Sequence, residues 1–364
     1  MNETIEFPFY TKAAIILMTV VLVMVILFIG QHIFIPIFLA LLFAILLSPF
    51  VNFLNRRLSI PNVISSSLAV VIFTIIIAIV ILIVTIQIGD FSGEIKNIKA
   101  NIAIHYHNIQ QWIQNSFNIS YREQDKYMKD VRSNSLTTEN ILSGSTINSV
   151  ADVLLNFLLV PLYTFLFLLY KSLCLQFLHA VVKKNGHETL NDILLNIKLS
   201  VQSYLVGLIT EMAMVSTLTS IGFMIIGLEY AFLLGVITGI LNLIPYVGIL
   251  MAGLLSIVAS LSHAAGINII LGVVVVNVIV QLIDNNLLVP LVVSSKVKIN
   301  AIASIVGIIV GGSIAGVAGM FLAIPIMAIL KVIFDRIDGL TPWGLILGDN
   351  ITKPSKYSLI KKST

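Results

Sequence analysis

The chain has 364 residues, of which 58% are hydrophobic and only 10% are charged, and its formal net charge is +4. A soluble domain of this length could not bury so much apolar surface, so the composition excludes a soluble globular protein and indicates a polytopic membrane protein. The basic residues lie beside apolar runs rather than in one patch, which excludes a nucleic-acid-binding surface. A single cysteine, Cys174, excludes an intrachain disulfide framework.

Eight apolar runs approach or exceed the roughly 20 residues that a helix needs to cross a bilayer. They are, in chain order, Ala13–Ile29, Ile33–Leu54, Val63–Ile88, Val153–Tyr170, Tyr204–Gly227, Ala231–Leu261, Ile267–Val293 and Ala301–Leu330. An all-α membrane protein with about six to eight transmembrane helices is therefore predicted.

Two of these runs are unusually long, and each contains a break. "NLIPYVG" interrupts Ala231–Leu261, and "GGSIAGVAG" interrupts Ala301–Leu330. Proline removes a backbone donor, and each run is long enough for two half-length helices and a turn. Two topologies remain open: eight simple crossings, or six spans plus two re-entrant hairpins. The hairpin topology is favoured because it places Lys296 and Lys298 in the cytoplasm.

Charge in the short loops predicts the orientation. Arg56 and Arg57, and the basic segment Lys171–Ser200, are predicted to be cytoplasmic, which makes both termini cytoplasmic and Gly89–Ser149 extracytoplasmic. The predicted divisions are the N-terminal transmembrane helices (1–88), a helical outer insert (89–150), a span with the basic segment (151–203), a transport core (204–340) and a basic tail (341–364).

The C-terminal half repeats one plan in opposite orientation. Tyr204–Gly227 and Ile267–Val293 are each followed by a broken run, and the two would cross in opposite directions. Inverted repeats with broken helices in corresponding positions are typical of transporters, whose binding sites lie at the breaks. Chance similarity of Gly-rich apolar segments is the alternative.

Polar residues in these runs are the candidate functional residues, because polar groups at membrane depth are costly and face a partner or a cavity. Asn277, Gln281, Asp284 and Asn285 share one helix face, which predicts a substrate path. The alternatives are a hydrogen-bonded seam between helices and a position of Asp284 near the headgroups.

Glu211 lies about two turns into its predicted span and is a candidate coupling carboxylate, together with Asp284. A structural carboxyl group is the alternative. Asn242, Pro245 and Gly248 belong to the first break, where freed backbone groups could hold a polar solute or cation. A plain proline kink is the alternative there. No phosphate loop, metal motif or nucleophile elbow occurs, so we expect no enzyme activity, cofactor or metal.

Three stretches, "GLEYAFLLGVITGILNLIPYVG", "QLIDNNLLVP" and "GGSIAGVAGMFLAIPIMAILK", together resemble the autoinducer-2 exporter family of bacterial membrane proteins. The similarity extends over nearly the whole chain. The family's motif residues fall on Asn242, Pro245, Tyr246 and Gly248 at the first break, on Gln281, Asp284, Asn285 and Pro290, and on Gly311, Gly312, Gly316, Gly319 and Pro325 at the second.

The resemblance implies an α-helical permease of the bacterial inner membrane that moves small molecules without ATP hydrolysis. Members are linked to export of a furanone-derived quorum signal, and others to sodium/proton exchange. The resemblance also implies a homo-oligomer, of pentameric type, with an elevator-like moving part. One departure is that Leu208 follows Gly207 where many members carry a polar residue, a contact that Glu211 could replace.

These observations predict a secondary transporter or exporter of a small polar, autoinducer-2-like solute. A monovalent cation/proton antiporter, coupled through Glu211 or Asp284, is the first alternative. A non-transporting scaffold that binds a partner through the outer insert is the second. The expected partners are the solute, a coupling proton or sodium ion, membrane lipids and further copies of the chain.

Overall fold

A computed structural model describes residues 8–92, 146–244, 247–260, 267–293 and 299–349, with a few isolated residues between 110 and 122. Within these ranges the chain is helical, and an isolated bridge between Ile299 and Gly348 is the only extended pairing. Of the predicted outer insert (89–150), residues 93–109 and 123–145 and several between 110 and 122 lie outside the described residues, and so do residues 350–364 of the predicted basic tail. Pro245 and Tyr246 also lie outside them.

The helices are numbered here in chain order. They are α1 (Phe9–Ile29), α2 (Gln31–Arg57), α3 (Asn62–Ser92), α4 (Thr146–Leu169), α5 (Lys171–Val181), α6 (His187–Ile225), α7 (Ala231–Asn242), α8 (Val247–Ser260), α9 (Ile267–Ile283), α10 (Ala301–Phe334) and α11 (Thr341–Leu347). A short 3₁₀ turn, Lys184–Gly186, precedes α6, and α9 continues as a wider π-helix over Asp284–Val293.

Within the described residues, five helices are long and apolar enough to cross a membrane, and the bent pair α4–α5 makes a sixth candidate. The five comprise α2, α3, α6, α9 with its π-helical extension, and α10. The prediction of an all-α membrane protein is thus confirmed. The continuous α6 begins at His187, well before the predicted start at Tyr204, because helix extends through the basic segment.

The first broken run forms a helical hairpin. The helices α7 and α8 have 12 and 14 residues, which corresponds to about 18 and 21 Å of helical rise, too short for a bilayer core of about 30 Å. Ala231 at the start of α7 and Ala259 near the end of α8 belong to one buried cluster with Phe223 and Val273. The chain therefore reverses direction at the break and does not continue across the membrane.

The second broken run, α10, also folds back on itself. The backbone is non-helical at Ala315 and Gly316, where φ and ψ of Gly316 are 57° and −140°, a conformation open in practice only to glycine. A methyl group added at Gly307 would lie 2.2 Å from Sδ of Met327. In a straight helix these residues would be about 30 Å apart, so α10 is a hairpin and not one long span.

The chain divides into two compact units. Unit 1 comprises residues 1–66, 163–207 and 293–364 and contains α1, α2, α5, α10 and α11; unit 2 comprises residues 67–162 and 208–292 and contains α7, α8 and α9. In unit 1, the side chain of Asn300 caps α10 by accepting from the Ala303 amide (2.8 Å), and it donates to the Gly348 carbonyl (3.1 Å). Within the described residues, both broken runs therefore form hairpins. The six-span topology and the inverted repeat stay predictions.

Candidate functional site

Helices α6 and α7 approach each other closely through two glycines of α7. A methyl group added at Gly235 would lie 2.0 Å from Oγ of Ser220, and one at Gly239 would lie 1.9 Å from Oγ of Ser216. The four-residue spacing places both glycines on one helix face, which lets the two backbones come together as in other small-residue membrane contacts. The end of α7 is therefore held directly against α6.

Asn242, the last residue of α7, bridges two carboxyl groups from two other helices. Its Nδ2 donates to Oε1 of Glu211 on α6 (3.1 Å) and more distantly to Oδ2 of Asp284 at the end of α9 (3.4 Å). An amide nitrogen carries two hydrogens, so it can serve both carboxyl groups at once. One side chain beside the helix break thus joins α6, α7 and α9.

Both carboxyl groups are removed from the surface. Glu211 is 6% exposed and Asp284 is 3% exposed. They also lie close enough to interact directly with each other. Two carboxylates in a desolvated site repel each other, and no basic side chain from the described residues forms an ion pair with either. Such a pair is suited to hold one proton or one cation between its two groups.

A small cavity of about 40 Å³ lies beside the carboxyl pair. Asn242, Asn277, Gln281, Asp284 and Thr238 supply its polar lining, and its apolar lining is Val215, Ile249, Ala252 and Val280. Among the described residues, Oδ1 of Asp284 and Nδ2 of Asn277 are buried without a hydrogen-bond partner. Buried polar atoms normally have partners, so these two atoms mark a place for a polar ligand, ion or water.

The structure therefore brings together most, but not all, of the residues that the sequence pattern singled out. Asn277, Gln281 and Asp284 line the cavity, as their shared helix face predicts. Asn285 is exposed, and its Oδ1 accepts a hydrogen bond from Nε2 of Gln281 (3.0 Å). The widening to a π-helix at Asp284 changes the residue spacing there. The glycines of the second break, Gly311, Gly312, Gly316 and Gly319, all belong to α10 in unit 1.

Gly248 allows the backbone to approach itself closely at the first break. A methyl group added there would lie 1.7 Å from the Leu241 carbonyl oxygen, so only glycine allows α8 to begin so close to the end of α7. The remaining residues of the break, Pro245 and Tyr246, lie outside the described residues. Asn242 itself is half-buried and reaches the carboxyl pair from the edge of the break.

Sequence reasoning missed three residues of the site. Thr238 lies one turn before Asn242, lines the cavity and donates its hydroxyl to the Leu234 carbonyl (2.7 Å). Gly235 and Gly239 set the contact between α6 and α7. The Gly-x-x-x-Gly spacing in "GVITG" is the signal that could have found the two glycines. In the part of the chain that the structure describes, no group of three or more His, Cys, Asp or Glu could hold a metal ion.

Buried polar groups beside a broken helix, in an all-helical membrane protein, are typical of membrane transporters. Comparison with known proteins leads to the same class. The chain belongs to the family described as AI-2E family transporter, whose sequence profile matches residues 16–339. The predicted family is therefore confirmed, and the chain is a multi-pass membrane protein of a transporter family.

Its relatives include two proteins of Bacillus subtilis (strain 168) that are named as transport proteins. YueF is 27% identical over 319 residues, covering 84% of this chain and 84% of YueF. YrrI is 25% identical over 315 residues, covering 83% of this chain and 86% of YrrI. PerM of Escherichia coli (strain K12), which is named as a permease, is 26% identical over 213 residues, covering 57% of this chain and 60% of PerM.

Proposed function

We propose that this protein is a secondary transporter that exports a small polar solute of the autoinducer-2 kind across the bacterial inner membrane, with both termini in the cytoplasm. The observation that carries the proposal is the bridge from Asn242 to Glu211 and Asp284 beside a broken helix. Export of a quorum signal is the finer part of the proposal. It rests on the family membership and on the polar lining of the cavity.

The carboxyl pair supplies the coupling in this proposal. Binding of a proton between Glu211 and Asp284 removes a charge from a desolvated site, which makes movement of that site through the membrane less costly. Release of the proton restores two acceptors for the hydroxyl groups of a solute. Proton binding and solute binding at the same groups are thus linked, as exchange requires.

The hairpin α7–α8 supplies the moving part in this proposal. Helix breaks leave backbone groups outside the regular hydrogen-bond ladder, and such backbone is tolerated at membrane depth where protein or water covers it. The carboxyl pair is contributed by α6 and α9, while Asn242 comes from the hairpin α7–α8. Displacement of this hairpin would separate the amide from the carboxyl groups and open the cavity. Assembly as a homo-oligomer, of pentameric type, would provide the fixed frame.

A second candidate function is exchange of a monovalent cation for protons. The cavity of about 40 Å³ favours it, because ligand pockets for small organic molecules usually measure about 300–1,000 Å³. The cavity has room for a few atoms only, such as a water molecule or a bare cation. Carboxylate, amide and hydroxyl oxygens are the ligands that hard cations prefer. For export of a small polar solute, by contrast, the cavity has to enlarge before the solute enters.

Flux measurements in proteoliposomes distinguish these functions. Vesicles containing the purified protein are loaded with autoinducer-2, and a proton or sodium gradient is imposed while solute release and internal pH are followed. Gradient-driven release of the solute is the expected result. Proton movement that needs a sodium or lithium gradient but no solute would establish the antiporter instead. The absence of both solute flux and proton flux would indicate a non-transporting scaffold.

Variants of the carboxyl pair test the site itself. Glu211→Gln and Asp284→Asn each keep the size of the side chain and remove its titration. Both are expected to fold normally and to lose the pH dependence of flux. Glu188→Gln, at an exposed position, is the matched control and should behave as wild type. Unchanged pH dependence in both site variants would overturn the assignment of this pair as the coupling group.

A further inference from the structure

The short helix α5 is oriented differently from the span that precedes it. It has 11 residues and is bent by 67° from α4. Its length corresponds to about 16 Å of helical rise, roughly half of the hydrocarbon thickness of a bilayer. A helix that follows a span at such an angle runs more nearly along the membrane surface than across the membrane.

Three different faces of α5 fit three different environments. Leu175 and Leu178 are partly buried against the protein. On another face, Leu173, Phe177 and Val181 recur every four residues and are 61%, 65% and 66% exposed. The exposed polar residues Ser172 and Gln176 lie between these faces. A helix with separate protein, apolar and polar faces is suited to the boundary between acyl chains and water.

Both ends of α5 are fixed within unit 1. At its start, Nζ of Lys171 lies 3.4 Å from Oγ of Ser48 on α2. At its end, Nε2 of His187 lies 2.9 Å from the His179 carbonyl and 3.0 Å from the Val182 carbonyl. Carbonyl oxygens only accept, so this nitrogen carries the hydrogen. The orientation of the apolar face is therefore set by the fold.

Among the residues that the structure describes, neither Lys171, the first residue of α5, nor Lys198 of α6 forms an ion pair with a carboxylate. Burial, and then the nearby charge of Lys198, lower the pKa of Lys171. Within the described residues, the ion pairs of unit 1 involve other cations: Lys331 pairs with Asp335 and Arg336 pairs with Asp192. Two cations whose charges interact and that have no carboxylate partner among the described residues attract an anion, and Lys171 remains accessible to one because its side chain is exposed.

We propose that α5 lies in the cytoplasmic membrane interface and that Lys171 and Lys198 bind the headgroup phosphate of an anionic phospholipid. The exposed face of Leu173, Phe177 and Val181 would lie among the acyl chains of the same leaflet. The lipid is favoured over a protein partner because apolar side chains and cations occur together at the end of a membrane span, where anionic headgroups lie above acyl chains.

Fluorescence quenching tests the apolar half of the proposal. Phe177→Trp and Gln176→Trp are each made in a background in which Trp112 and Trp343 are replaced by Phe, and are reconstituted with brominated phosphatidylglycerol. We expect bromine to quench the indole of Phe177→Trp severalfold more strongly than that of Gln176→Trp, and iodide in water to show the reverse order. Equal quenching of both by iodide would overturn the proposal, and so would protection of Phe177→Trp from both quenchers, which would indicate a protein cover.

Lipid affinity tests the lysine pair. In nanodiscs that mix phosphatidylglycerol with phosphatidylcholine, the wild type should retain phosphatidylglycerol selectively, as measured by native mass spectrometry. Lys171→Gln/Lys198→Gln should weaken this retention by more than about tenfold, since each lysine near a membrane surface contributes about fivefold. Lys331→Gln, which removes a lysine that is already paired, is the control and should retain the lipid. Unchanged retention in the double variant would overturn the site, and so would displacement of the lipid by millimolar inorganic phosphate.

Discussion

The two helical hairpins of this protein both form at a break in a helix, but one break lies beside polar side chains and the other hairpin lies beside an apolar cavity. In α7–α8 the break follows Asn242, whose amide binds two buried carboxyl groups. In α10 the break falls at Ala315 and Gly316. There the hairpin lines an apolar cavity of about 600 Å³ together with α1 and α2, with Val310 and Phe334 among its lining residues.

Both hairpins close through glycines, so the close backbone approach does not distinguish them. In α10, methyl groups added at Gly311 and Gly319 would lie 2.4 and 2.0 Å from each other's carbonyl oxygens. In α7–α8, a methyl group added at Gly239 would lie as close to Ser216 on α6, and one added at Gly248 would lie as close to the Leu241 carbonyl oxygen. The difference lies in the polar groups beside the break. A broken helix becomes a candidate binding site only where polar side chains of other helices meet it.

The largest expected effect comes from removing the polar group of the first hairpin. Asn242→Leu should lower solute flux by about 100-fold, because each carboxyl group loses its amide donor, and an unpaired buried polar or charged group costs about 1–3 kcal/mol or more. Flux per correctly inserted protein is the measurement. Asn286→Leu, at an exposed position where the side chain donates to the Leu282 carbonyl of its own helix, is the control and should retain flux. Wild-type flux from Asn242→Leu would remove this hairpin from the site.

An intermediate effect is expected from separating α7 from α6. Gly239→Ala places a methyl group 1.9 Å from Oγ of Ser216 and 2.6 Å from the Met212 carbonyl, so α7 must shift and carry Asn242 away from Glu211. We expect a loss of flux of about tenfold and a destabilisation of about 1–3 kcal/mol.

The companion variant of this prediction lies in the same hairpin. Gly253→Ala meets nothing within 4 Å and should be neutral or stabilising by up to about 1 kcal/mol, because alanine favours helix. Thermal unfolding in detergent and flux in vesicles are measured for both variants. Similar behaviour of the two would contradict the role of Gly239 in positioning Asn242.

The smallest effect is expected in the apolar cavity beside the second hairpin. Val310→Phe should change stability by less than about 1 kcal/mol, because the cavity of about 600 Å³ has room for the ring. Val51→Phe provides the comparison in unit 1, because Val51 is buried in α2 and the larger ring should cost about 1–3 kcal/mol. Unfolding midpoints give both values. A large loss of stability from Val310→Phe would show that the cavity cannot accommodate the larger ring.

Much of the fold could be predicted from local sequence. Apolar length identifies the long helices, and the residues "NLIPYVG" and "GGSIAGVAG" identify the two breaks, because chain length, proline and glycine act on the backbone nearby. The shared face of Asn277, Gln281 and Asp284 followed from helical periodicity alone. Asn285 illustrates the limit of that periodicity, since the change to a π-helix at Asp284 alters the spacing on which it depends.

The meeting of Glu211, Asn242 and Asp284 could not be predicted in this way, because the three side chains come from three helices and lie 31 and 42 residues apart in sequence. Each had a local signal, namely a polar group in an apolar run. Which of them share a hydrogen bond depends on how closely α7 packs on α6, and that distance is set by Gly235 and Gly239 against Ser220 and Ser216. The sequence by itself thus determined which residues could form a site and where the helices break. The tertiary structure decided which of these residues meet, because contact between helices depends on the fit of whole surfaces rather than on any one segment.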